Sequence, residues 1–152
     1  MHHFPPSDRI YQDCRELIFQ RLEAVRTAID AVQQSANSET KSTAGDKHET
    51  GRAMAQLEVE MLSKQLSEAA RMLESLERTR ANTGSPVTQP GSVVETSQGI
   101  FYLAVPLGKV EIDGHNIIAI SPEAPIAKAI LGCQAGDVLT WNGQNLMIVS
   151  VT

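Results

Sequence analysis

The stretch QSANSETKSTAGD (residues 34–46) decides how the first half of the chain folds. It is small and polar, and it lies between two long runs of helical pattern. Before it, residues 8–34 contain no Gly or Pro, and Tyr11, Cys14, Ile18, Leu22, Val25, Ile29 and Val32 recur three or four positions apart. That spacing predicts an amphipathic helix. After it, from about Lys47 to Arg80, the residues Ala55, Val59, Leu62, Leu66, Ala69, Leu73 and Leu76 alternate steps of four and three. This is heptad spacing. Met54, Leu57, Met61 and Met72 flank the stripe, and the methionines read as filler between the helices. The connection is too short for anything but a reversal, so the two stripes face each other only if the helices run antiparallel. The expectation is an N-terminal α-helical coiled-coil hairpin over residues 1–80, with its tip near residues 35–50. Arms of about 27 to 33 residues reach roughly 40 to 50 Å, longer than a small domain is wide. Such a hairpin must project from something.

The totals bound what that can be. The chain has 152 residues, a formal net charge of -5, 41% hydrophobic and 4% aromatic residues, which suits one or two small units and leaves little for a large enzyme core. No apolar run reaches the roughly 18 residues that span a bilayer. The start, MHHFPPSDRIYQDCREL, lacks the continuous apolar stretch of a secretion signal. The expectation is a soluble, cytoplasmic protein that engages no membrane. Mild acidity gives no basis for tight or sequence-specific DNA binding, which needs concentrated Lys and Arg. Cys14 and Cys133 form no CxxC and fall in what read as different structural units, so both are expected to be free, buried thiols.

Gly, Ser, Pro and Asn cluster in RANTGSPVTQPG, marking a linker at residues 81–90. Beyond it, residues 91–152 change to the grammar of strands. SVVETSQGIFYLAV reads as two strands about a turn at Ser97, Gln98 and Gly99. KVEIDGHNIIAIS holds two more, broken at Asp113-Gly114, and DVLTWNGQNLMIVSVT is a hairpin about Asn142-Gly143. Between them, Ser121 is a candidate cap, Pro125 suits a first helical turn, Ile126, Ala127, Ile130 and Leu131 make a short apolar face, and Gly132 ends it. The second half is expected to be a small antiparallel sheet with one helix, making the whole chain α+β.

This order of parts, together with ISPEAPIAKAILGCQAGDVL (residues 120–139), resembles the GreA/GreB family of transcript-cleavage factors, which bind bacterial RNA polymerase. The block is similar to the family's C-terminal signature, in which Ile-Ser, Ser-Pro-Ile-Ala, Leu-x-Gly and Gly-Asp recur at this spacing. Ala124 stands where the family has Ser. PGSVVE (residues 90–95) resembles the family's opening strand, and AGDKHETG (residues 44–51) the start of its second helix. The likeness covers about residues 8–152. It implies an FKBP-like C-terminal domain that holds the polymerase at the rim of its secondary channel, with the coiled coil threading that channel. It also implies polymerase contacts within the densest block, at Ser121, Pro122, Pro125, Ile126, Gly132, Gly136 and Asp137. Caps, a turn and a helix stop would explain the same residues by conformation alone.

Asp46 and Glu49 admit two readings. Three apart on a first helical turn, they lie on one side of the helix and can both address one ion or its water. They equally make a capping box, each side chain accepting a bond from an otherwise unpaired backbone N–H. The resemblance implies that they are the family's tip acids, one supporting a Mg²⁺ ion of the polymerase and the other the attacking water. Mg²⁺ commonly takes one or two protein carboxylates and keeps its waters. The chain would then bring no cofactor of its own and be no enzyme by itself. It would stimulate the polymerase's own RNA cleavage, meeting the RNA 3′ end only inside the complex. The alternative is a non-catalytic regulator or adaptor, inhibitory or scaffolding, that uses the same coiled coil.

Neighbouring residues weigh less. Lys47, His48 and Arg52 are candidates for RNA phosphates and equally for solvated surface, and Glu39 adds charge in the reversal. Gly51 departs from the resemblance and loosens the helix by about 1 kcal/mol relative to Ala. A Cys133–His115 thiol–base pair lacks an oxyanion-hole loop. A prolyl isomerase pocket needs more aromatics than Phe101, Tyr102 and Trp141, whose expected use is packing.

Overall fold

The computed structural model describes residues 4–42 and 46–152, and the side chains of residues 4–37 and 49–152. Two long helices, α1 (Ser7–Ser42) and α2 (Asp46–Thr79), are followed by a 3₁₀ turn (Arg80–Asn82). A six-stranded sheet with one short helix comes next, so the class is α+β. α1 runs well past Gln34, through most of the stretch read as a reversal. Ser, Asn and Thr are weak helix formers rather than breakers, and no Gly or Pro stands between Ser7 and Gly45. At 1.5 Å per residue each helix is about 50 Å long. No helix among the described residues is long and apolar enough to cross a membrane.

The chain divides into two compact units. One is Met1–Glu16 with Met72–Thr152, and the other is Leu17–Arg71. The first thus takes in the start of α1 and the end of α2 along with the sheet. Both cysteines therefore fall in the same unit, contrary to the sequence reading. They are free, Cys14 fully buried and Cys133 half-buried.

Within Leu17–Arg71 the two helices run antiparallel, with Ala31, Val32 and Ala36 beside Gly51, Ala55 and Glu58. The heptad stripes are the covered faces: Ile18, Leu22 and Ala69 are buried, and Val25, Ile29, Val32, Ala55, Val59, Leu62 and Leu66 are half-buried. Met54 and Met61 are not filler, and they share their exposure with Leu57. Met54, Leu57 and Met61 are 64%, 61% and 61% exposed. Each helical residue turns the side chain by about 100°, so positions beside the stripe miss the seam. Met72 is half-buried.

In the other unit the strands are β1 (Val93–Thr96), β2 (Gly99–Leu103), β3 (Gly108–Ile112), β4 (His115–Ile120), β5 (Val138–Trp141) and β6 (Gln144–Val151), with α3 (Pro125–Ile130) between β4 and β5. The order across the sheet is β3-β4-β2-β1-β6-β5. The hairpin turns predicted at Asp113-Gly114 and Asn142-Gly143 are present, and all four residues have positive φ. The sheet is not wholly antiparallel, because β4 lies parallel to β2. β3 runs back one lane away and β4 returns between them. The run Ile117–Ile120 is apolar at every position, as suits a central strand covered on both faces.

One face of the sheet packs Val94, Phe101, Leu103, Leu146 and Ile148 against Ala127 and Ile130 of α3, with Trp141 at the margin. The opposite face carries buried Val93, Tyr102, Val110, Ile112, Ile117 and Ala119, and Ile10, Tyr11, Cys14 and Leu76 of the helix ends are buried too. Ser75 of α2 donates to the Ala104 carbonyl at 2.7 Å, tying α2 to the end of β2. Each such large aliphatic side chain contributes roughly 1.5 to 3 kcal/mol on burial. The aromatics Phe101, Tyr102 and Trp141 are thus packing residues.

Residues 81–90 are fastened down along their length. Asn82 Nδ2 donates to the Pro90 carbonyl at 2.9 Å, and Thr83 Oγ1 to the Gly91 carbonyl at 3.3 Å. The Thr88 N–H donates to the Cys133 carbonyl and the Gly132 N–H to the Thr88 carbonyl, both at 2.9 Å. Gly91 then crosses the end of α2 so closely that a Cβ there would stand 2.0 Å from the Thr79 carbonyl oxygen.

Candidate functional site

α2 begins at Asp46, and Glu49 is exposed in its first turn. The side chains of Asp46, Lys47, His48 and Glu39 lie outside the described residues. Among the described residues, no group of three His, Cys, Asp or Glu side chains is placed to hold a metal ion. Beyond Glu49, Gly51 faces α1, where it lines a shallow groove with Ala31, Val32, Ser35 and Ala36. Arg52 borders a polar hollow with Gln33, Asn37 and Gln56. On α2, Glu49, Arg52 and Gln56 are spaced three and four apart and so follow one ridge.

The second group of predicted residues brackets α3. The Ser121 hydroxyl accepts the Glu123 N–H at 3.1 Å, and the Ser121 carbonyl accepts the Ala124 N–H at 3.0 Å. Ser121 therefore closes the turn before the helix and is not its cap. The N-cap is Ala124, which makes no side-chain cap bond, and Pro125 occupies the first turn. Pro122 and Ile126 are half-buried, Ile126 packing on the α3 face of the core, and Pro125 is exposed. Gly132 ends the helix at φ 82° and bonds to Thr88. The Gly136 N–H donates to the Ile148 carbonyl at 2.7 Å. Asp137 Oδ2 accepts the Gln134 N–H at 2.8 Å, and the Asp137 carbonyl accepts the Ile148 N–H at 2.8 Å. Each of these bonds has a conformational task, and Pro125, Gly132, Gly136 and Asp137 are exposed.

Where the two long helices meet the sheet, a polar cluster appears that periodicity did not announce. Tyr11 Oη donates to Glu77 Oε1 at 2.6 Å, and Arg15 Nε donates to the same oxygen at 3.2 Å. The Arg80 guanidinium lies 4.1 Å above the Tyr11 ring centroid. Burial first, then the bond to Glu77, raises the Tyr11 hydroxyl above its ordinary range. The Tyr11 bond first, then Arg15, holds the Glu77 carboxyl below its own. Tyr11 entered the sequence analysis as one apolar position of a stripe, and nothing in spacing points from it to Glu77. Burial pushes the Cys14 thiol up to about 12 and raises Cys133 as well, so neither thiol is activated toward the thiolate.

No known protein family matches the chain, and no curated protein matches its sequence. Function therefore rests on the residues themselves.

Proposed function

We propose that this chain is a Gre-like transcription elongation factor that binds bacterial RNA polymerase in its secondary channel and stimulates cleavage of backtracked RNA. In this reading the long hairpin is a coiled coil and the sheet with α3 is an FKBP-like docking domain. The observation that carries it is the start of α2 at Asp46, which puts Asp46 and Glu49 on the first turn of a helix about 50 Å long. The signature-like block at residues 120–139, arranged around α3, supports the docking role.

The acids' chemistry follows from their number and spacing. Two carboxylates three residues apart are too few to hold Mg²⁺ alone and suit an ion that another protein already binds. Such an ion, in the polymerase, supplies charge neutralisation and an activated water for phosphodiester hydrolysis. One acid of the pair would ligate that ion and the other would accept a hydrogen bond from the attacking water. Ser121, Pro122, Pro125, Ile126, Gly132, Gly136 and Asp137 hold the polymerase surface.

A second reading keeps the docking and removes the chemistry. Asp46 and Glu49 also keep the three-residue spacing between the two acids of a capping box. Acids spent on the cap would leave a channel-occupying regulator. The deciding experiment is RNA cleavage in a stalled, backtracked complex of the cognate polymerase, with the parent chain and with Asp46→Asn/Glu49→Gln. The cleavage reading expects shortened transcripts whose rate falls at least about tenfold in the variant while polymerase binding persists. Binding without cleavage in the parent supports the regulator, and absence of binding overturns both.

A further inference from the structure

The sheet ends in two open edges, β3 and β5, and they are built differently. Each belongs to a two-residue hairpin, closed by the pairs Ile112↔His115 and Trp141↔Gln144. Alternation along an antiparallel ladder directs the backbone groups of every second residue toward the neighbour and the rest outward. The outward residues are Lys109 and Glu111 on β3, and Val138 and Thr140 on β5. Bonds beyond β5 set the same phase, with the Gly136 N–H donating to the Ile148 carbonyl at 2.7 Å and the Ile148 N–H to the Asp137 carbonyl at 2.8 Å.

On β3 both outward positions are exposed charged residues, the usual device against edge-to-edge pairing. Arg9 Nη2 also reaches Asp113 Oδ1 at 3.3 Å beside the β3–β4 turn. β5 reads Val-Leu-Thr-Trp and carries no charge. Val138 is 59% exposed and sits opposite Met147, 47% exposed, with Val149, 40% exposed, two residues along β6. An unguarded edge thus borders an apolar strip on the sheet face away from α3.

We propose that β5 is a self-association edge on which a second copy of this chain adds its own β5, antiparallel, about a two-fold axis at Leu139. In this register Val138 lies opposite Thr140 of the second copy and Thr140 opposite its Val138. Each of these pairs exchanges both of its N–H···O=C bonds, so every outward group of the edge finds a partner. Facing residues share a sheet face, and a one-residue slip would set core-facing Leu139 against outward-facing Val138. Asp137 meets Trp141 of the second copy and no like charge. The Val138, Met147 and Val149 strips of the two copies lie on the same face. A second copy suits this edge because an identical antiparallel edge presents matching outward N–H and C=O groups and extends the strip of Val138, Met147 and Val149. So short a strand makes a weak, concentration-dependent dimer.

The test is the mass of the full chain by sedimentation equilibrium across a wide concentration range, with amide hydrogen exchange over the same range. The mass should rise toward twice the monomer while the Val138 and Thr140 amides become protected. Thr140→Pro removes an outward N–H at an edge position, opposite Asn145 where β5 and β6 share no bond, and Pro is tolerated at such sites. It should raise the dissociation constant at least about tenfold, and Val138→Lys should do the same by adding the charge that guards β3. A chain that stays monomeric throughout overturns the proposal, as does a dimer that survives Val138→Lys in a variant whose circular dichroism matches the parent.

Discussion

Tyr11 of α1 and Glu77 of α2, 66 residues apart, share a 2.6 Å hydrogen bond. Tyr11 is nearly fully buried, whereas the Glu77 side chain is 48% exposed and also takes Arg15 at 3.2 Å. The bond fixes the ends of both long helices within one compact unit. Tyr11→Phe should cost about 1 kcal/mol at neutral pH, the half-exposed carboxylate being screened by water. The Glu77 carboxyl is held below its ordinary range, so its contribution is full above the usual carboxylate range and fades as pH falls through the lowered value. Urea unfolding of parent and variant at neutral and acid pH should show the difference shrinking on acidification.

Gly91 and Gly143 both have positive φ, yet substitution should separate them. Around Gly143 a Cβ meets nothing within 4 Å, so Gly143→Ala pays only for backbone conformation, about 1 to 2 kcal/mol. At Gly91 the Cβ would sit 2.0 Å from the carbonyl oxygen of buried Thr79, and that oxygen is backbone. Gly91→Ala should cost more than about 3 kcal/mol or prevent folding, read as a much larger fall in thermal midpoint.

Thr88 is 2% exposed, and its hydroxyl has no hydrogen-bond partner among the described residues. Its backbone joins residues 81–90 to the loop after α3 through the bonds with Gly132 and Cys133. Thr88→Val keeps the shape and the backbone bonds while removing a desolvated hydroxyl. Stability should stay level or rise by up to about 1 kcal/mol, measured by denaturant midpoint.

Cys14 is fully buried and its thiol is pushed up from 9.0 to about 12, first by burial and then by Asp13. A group raised in the folded state stabilises fully below its unfolded value, and that contribution is lost as pH climbs through the folded one. The chain should lose stability between about pH 9 and pH 12, and Cys14→Ala should flatten that limb of the profile while creating a small cavity cost at neutral pH. Under native conditions a thiol reagent should label half-buried Cys133 well before Cys14.

Local patterning decided much of this protein. Apolar residues three and four apart recorded which faces of α1 and α2 are covered, Asp113-Gly114 and Asn142-Gly143 marked two hairpin turns, and Pro125 with Gly132 bounded α3. These features rest on backbone preferences and on one face of one element, which a linear pattern encodes. Tertiary structure alone decided the insertion of β4 beside β2, the placing of Cys14 and Cys133 in one unit, the exposure of Met54 and Met61, and the bond from Tyr11 to Glu77. Each depends on which distant segment arrives as a neighbour, and side-chain periodicity carries no address for that neighbour. The acids at Asp46 and Glu49 stand between the two cases. Spacing put them on one helical turn, but capping and metal support need the same spacing, so a linear pattern does not choose between them.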